Sequence, residues 1–240
     1  SDSLGCVAAW NAPAGPRAHG MQLWVTEASS SWNWTLPPPA QASYLHGFFT
    51  IPQLGQYATT GVSLVARWSF AEPSPFGTIV MNATRGGWDV AADYWVLVLY
   101  KRLVGGTAMA VSGDAATAAL VYANCTAGAS NGSVTVMAVN PSLDAVTIAL
   151  VDGMGAVIAT APRWQWVLTA PGGPDDLASY TPVLNGATAS PLRLAMDGSI
   201  PPLPGAYVAS DGGTGANALT LAPRSQAFFV LPTAGAPVCS

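Results

Sequence analysis

The periodicity of the apolar residues changes once along this chain, at Gly105-Gly106, and that change limits the folds open to it. Before it, apolar runs alternate with helical spacing. Residues 21–26 form a short apolar run without strict alternation, the pattern of a parallel strand buried on both faces. Residues 40–57 place Tyr44, Phe48, Ile51 and Leu54 on one helical face, and Pro52 is expected to kink or end that helix. Residues 61–70, GVSLVARWSF, read as a second buried strand. Asp93 then opens the run DYWVLVLYKRLVG. Asp93 suits an N-cap, Lys101 and Arg102 suit the negative end of the helix dipole, and Gly105 suits the C′ position. This helix is apolar on most sides, so it is expected between two layers. Strand–helix–strand–helix over 20–104 predicts a parallel α/β arrangement, with 1–20 as loop.

After Gly106 the runs are short and turn-separated: 108–111, 118–123, 133–139, 145–151, 163–169, 181–184, 192–194, 206–208 and 226–231. Asn140-Pro141-Ser142, Asp152-Gly153, Pro171-Gly172-Gly173 and Asn185-Gly186 punctuate them. Such spacing predicts an antiparallel β-sandwich. The fold class expected is therefore α/β plus all-β, divided as 1–105 and 106–240. Gly (25) and Pro (20) are frequent enough for so many turns, and half of the 240 residues are apolar, enough for a sizeable core.

Charge is scarce: 8% of residues, with a formal net charge of −4 and eight Lys and Arg spread without a basic run. That gives no electrostatic footprint for nucleic acid. No stretch of about 18 uninterrupted apolar residues occurs, so no transmembrane segment is predicted. The opening Ser1-Asp2-Ser3 reads as a processed product or a fragment. Sequons at Asn33, Asn82, Asn124 and Asn131 mark expected glycosylation sites and favour a secretory route. Three cysteines, Cys6, Cys125 and Cys239, permit one disulfide and leave one thiol.

Against that background Glu27 stands out, one of two glutamates in the chain; the other is Glu72. It ends the run Leu23-Trp24-Val25-Thr26 and precedes a small-residue loop bearing Trp32 and Trp34. A carboxylate at the C-terminal end of a barrel strand, beside aromatic rings, matches a glycosidase nucleophile with flat faces for sugars. Alone, the pattern also fits a rim carboxylate or a helix N-cap. Trp24, Trp68, Trp88 and Trp95 read as core residues. A Ser-His-Asp site fails, with only His19 and His46 present and no G-x-S-x-G elbow, and both histidines read as structural. No Cys/His cluster has metal-ligand spacing, so neither metal nor cofactor is expected.

Several segments resemble one family, the heparanase-like glycoside hydrolases. Leu23-Trp24-Val25-Thr26-Glu27-Ala28-Ser29-Ser30 is similar to its nucleophile strand, and Gly47-Phe48-Phe49 through Leu54-Gly55 to the helix that follows. Gly61 to Arg67 resembles its last barrel strand, and Asp93-Tyr94-Trp95 through Leu103-Val104-Gly105 its Asp-Tyr-Trp helix. Val121 to Thr126, Leu184-Asn185-Gly186, Pro201-Pro202-Leu203 and the ending Phe228-Phe229-Val230 to Cys239 recur in the same order. The resemblance covers 21–239 and is identified with the C-terminal portion of the family.

What the resemblance implies is specific. The fold would be the last two βα units of a (β/α)8 barrel followed by a β-sandwich. Glu27 would be the nucleophile of a retaining β-glucuronidase. The acid/base glutamate would belong to an upstream Asn-Glu motif absent here, so the chain alone is expected to be inactive. A missing barrel half or companion chain would be its partner. Substrate contacts would come from Trp32, Asn33, Trp34, Arg67, Trp68 and Phe76. Asn33 and Trp34 replace family glycines, Trp68 a glutamine and Phe76 a tyrosine. Cys125 would pair with Cys239. The substrate would be a glucuronic-acid-containing glycan of the extracellular matrix, met by a secreted, membrane-associated, lysosomal or vacuolar protein. The rival expectation is a non-catalytic homologue whose sandwich binds glycans or serves structure.

Overall fold

The computed structural model describes residues 8–28, 43–71, 77–82, 87–113, 118–186, 190–209 and 218–240. Strand β1 (Leu23–Ala28) leads to helix α1 (Tyr44–Thr60), which returns to strand β2 (Val62–Arg67). β1 and β2 pair in parallel, as the alternation of strand and helix requires. α1 continues through Pro52 and stops at Gly61, whose left-handed φ of 83° lets its N–H reach the Tyr57 carbonyl. A hairpin that periodicity did not reveal follows, β3 (Ile79–Asn82) against β4 (Gly87–Val90). β4 runs into helix α2 (Ala92–Leu103).

α2 passes directly into β5 (Val104–Met109), so Gly105 lies within a strand rather than at a C′ position. β5, β6 (Leu120–Thr126), β7 (Val134–Asn140), β9 (Arg163–Thr169), β10 (Val183–Leu184), β11 (Ala206–Val208) and β13 (Ser225–Leu231) form one seven-stranded sheet. The order is β10-β9-β13-β7-β6-β5, all antiparallel, with β11 sharing the β10 edge of β9. β8 (Val146–Ala149) and β12 (Ala218–Leu221) make a separate two-stranded ribbon.

The period of two sorts the sheet's side chains onto two cores. Val134, Val136, Ala138, Ala227, Phe229 and Leu231 face the ribbon, where Leu219 and Leu221 cover them. Met137, Val139, Leu168 and Phe228 face the other way, onto Tyr44 and Ile51 of α1 and Trp95, Val96 and Leu99 of α2. α1 in turn touches β2 on its far side. The molecule is therefore layered ribbon, sheet, helices and parallel pair. Two close approaches seat α1 on the sheet: a Cβ at Gly55 would lie 2.2 Å from the Tyr122 ring, and one at Gly47 would lie 2.6 Å from the Gln226 amide. The buried Tyr44 hydroxyl lies 2.7 Å from the Leu168 carbonyl and 3.0 Å from that of Arg224.

Some expectations are corrected. β1 and β2 are not buried on both faces: Trp24 is 56% and Leu64 42% exposed. The described residues form no closed barrel, and antiparallel sheet predominates. The run at 192–194 is not a strand, because Leu192 and Leu194 fill the helix-facing core from a loop. Cys125 and Cys239 are joined, with a Cα–Cα separation of 5.2 Å. Cys6 lies outside the described residues.

Candidate active site

The C-terminal ends of β1 and β2 and the first turns of α1 and α2 meet at one end of the parallel pair. Ala28 is the register partner of Arg67, and the Trp68 N–H donates to the Ala28 carbonyl at 3.0 Å. Between the pairs Val25↔Val65 and Ala28↔Arg67, three steps of β1 match two of β2. This bulge leaves Thr26 and Glu27 both exposed while Ala28 turns to the buried side. Re-aiming a side chain in this way is a usual effect of a bulge beside a site.

Beneath the exposed face lies a buried charge cluster. Asp93, in the first turn of α2, is fully buried and accepts a hydrogen bond from Arg67 Nε at 2.7 Å. The His46 Nε2 of α1, also buried, stands 3.6 Å from the same oxygen. Asp93 is thus not an N-cap: Ala91 occupies that position, and the carboxylate is used on β2. Arg67, expected at the substrate, is largely buried: its side chain is 13% exposed, its Nε pairs with Asp93, and its Nη1 and Nη2 are enclosed without a hydrogen-bond partner among the described residues. The pair ties the end of β2 to the first turn of α2, with α1 close by through His46.

The aromatic residues divide. Trp95 is fully buried, as expected of core. Trp68 is 47% exposed, Phe70 66% and Trp88 58%, all on chain that follows β2. No local pattern signals the exposure of Trp88, since a lone tryptophan in a short run reads as core. Trp32, Asn33, Trp34 and Phe76, expected at the substrate, lie outside the described residues, as does Glu72. Asn124 is corrected as a glycosylation site: it is buried and its Nδ2, the atom a glycan would need, donates to the Gly105 carbonyl at 3.1 Å. Asn131 is exposed in a turn, and Asn82 ends β3.

Comparison with protein-family models finds no match. Single relatives are found. A hyaluronoglucuronidase of Hirudo nipponia is 29% identical over 226 residues, covering 90% of this chain and 41% of that protein. The chain is similar in sequence to heparanases. The heparanase of Gallus gallus is 28% identical over 92% of this chain and 40% of that protein, and the inactive heparanase-2 of Homo sapiens 27% over 82% and 33%. This heparanase-like chain thus spans about two-fifths of the length of the curated relatives it matches first. Among solved structures, BuGH86 in complex with neoagarooctaose aligns over 95% of the heparanase-like chain and 33% of its own, with 14% identity and a TM-score of 0.57, a likeness of fold.

Proposed function

We propose that this chain is the C-terminal part of a retaining β-glucuronidase of heparanase type. Residues 1–105 contribute the last two βα units of a (β/α)8 barrel and residues 106–240 its β-sandwich. Glu27 is the nucleophile: it attacks the anomeric carbon, the bond to the leaving oxygen breaks, and a glycosyl ester forms. A second carboxyl group, about 5–5.5 Å away in the retaining geometry, protonates the leaving oxygen and then activates water. That group lies upstream or in a companion chain. Trp32, Asn33, Trp34, Trp68 and Phe76 contact a glucuronic-acid-containing glycan. No cofactor takes part. The Cys125–Cys239 disulfide favours an oxidising compartment, so a secreted, extracellular or lysosomal location suits the protein.

The observation that supports this reading most is Glu27 itself: a carboxylate on the bulged, exposed end of β1, in a chain with two glutamates that is related to glucuronidases. The test is covalent trapping of the full-length protein with a glucuronic-acid-configured epoxide. The expected result is an adduct on the Glu27 peptide, absent in Glu27→Gln. An adduct elsewhere, or none while glycan is still hydrolysed, overturns the assignment.

A second reading has its own support, the kinship to an inactive heparanase-2. There the protein binds glycan without cleaving it. Saccharide binding without trapping or turnover in the full-length protein favours this reading.

A further inference from the structure

The buried pair of Arg67 and Asp93 has no step in the reaction proposed above, yet it is connected to the strand end that carries Glu27. Asp93 Oδ2 accepts from Arg67 Nε at 2.7 Å, and the Asp93 side chain is fully buried. Arg67 is the register partner of Ala28, and the next N–H, that of Trp68, donates to the Ala28 carbonyl at 3.0 Å. Ala28 closes the bulge that leaves Glu27 exposed. A second tie follows Trp68. The Thr78 hydroxyl lies 2.9 Å from the Ser69 carbonyl and 2.8 Å from the Phe70 carbonyl. The Thr78 carbonyl in turn accepts from the N–H of Ala91, the N-cap of α2, at 2.8 Å. The start of α2 therefore holds the end of β2 both before and after Trp68.

The bulge exists only in the register between β1 and β2, so the aim of Glu27 depends on where the end of β2 lies along its axis. A charge-assisted hydrogen bond fixes both distance and direction, whereas apolar contact is non-directional. We propose that Asp93 is a positioning residue for Glu27: through Arg67 it holds the end of β2 at the level where the bulge in β1 presents the carboxylate. Misplacing a reacting group by about 1 Å costs about 10²-fold in rate. The effect therefore falls on the bond-forming step and leaves sugar affinity alone. This rests on reading Glu27 as the nucleophile.

The experiment is covalent labelling of the full-length protein by a glucuronic-acid-configured epoxide. The maximal labelling rate and the concentration giving half of it are measured separately, with melting temperatures in parallel. Asp93→Asn keeps the shape and removes the charge. Arg67→Met/Asp93→Leu fills the same space without the pair and decides the matter where Asp93→Asn does not fold. Leu219→Ala, in the ribbon-facing core, lowers the melting temperature from the other side of the sheet. The expected result is a maximal rate about tenfold to a hundredfold lower in both pair variants, with the half-maximal concentration unchanged and Leu219→Ala labelling at the unmodified rate. A double variant as stable as the unmodified protein and labelled at full rate overturns the proposal, because the pair is then structural only. A raised half-maximal concentration at unchanged maximal rate, or an equal loss in Leu219→Ala, overturns it as well. In these three cases the Glu27 adduct still forms, so the nucleophile assignment stands. No adduct on Glu27 in the unmodified protein overturns that assignment and the positioning role together.

Discussion

Asp93 shows how one residue can carry more than its sequence position suggests. A neutral asparagine there leaves the Arg67 guanidinium buried without its counter-charge. Asp93→Asn is therefore expected to cost about 3–5 kcal/mol, measured by urea denaturation, and the double replacement Arg67→Met/Asp93→Leu to recover most of it. Tyr44 is the second such residue. Burial holds its phenol well above the ordinary tyrosine value, and Tyr100 and Tyr122 are raised in the same direction by the same cause. The folded state thus favours the neutral phenol, and the unfolded chain ionises first. Stability contributed this way is complete below the unfolded value of about 10 and falls as pH climbs past it. Denaturation midpoints between pH 8 and 11 should show that alkaline decline. Tyr44→Phe should make it shallower, while lowering stability at pH 7 by about 1–2 kcal/mol through the carbonyls left without a donor.

At the scale of elements, the strands with strong β patterning were legible. Arg163–Thr169 and Ala206–Val208 match their apolar runs residue for residue, and the edges of β7 and β13 differ from the expected ones by one residue. What local pattern could not supply was tertiary context. β3 and β4 are four residues each, too short for a period, and Ala218–Leu221 reads as strand only once β8 is beside it. Asp93 looked like a cap because capping is local, whereas its partner Arg67 is 26 residues away. Glu27 was legible because charge is scarce, but its bulge was not, since register is a property of two strands. The disulfide links β6 to the C-terminal turn Pro237–Cys239 and closes a 114-residue separation. Cys125→Ser/Cys239→Ser should lower stability by about 5 kcal/mol in the chain-entropy account. Hydrogen exchange should then quicken first in the residues after Leu231.

For the whole molecule, the parallel pair is the part least covered. Trp24, Leu64 and Met21 are exposed, and each strand has one neighbour among the described residues, so open edges and apolar surface coincide. The 240-residue chain by itself should show no glucuronidase turnover and should self-associate, with a weight-average mass by sedimentation that grows with concentration. Trp24→Lys/Leu64→Lys should reduce that growth. A monodisperse, active chain would refute both expectations. The opposite end of the layering has a different consequence. Met137, Leu168 and Phe228 are covered by α1 and α2, so the sheet has no complete core without helices that precede it in the chain. Modularity stops there: a graft that carries only 106–240 onto another enzyme, or a tag inserted between Leu103 and Val104, would tear a shared interior. The portable unit begins no later than Tyr44, and shuffling between homologues should succeed only with junctions placed upstream of it.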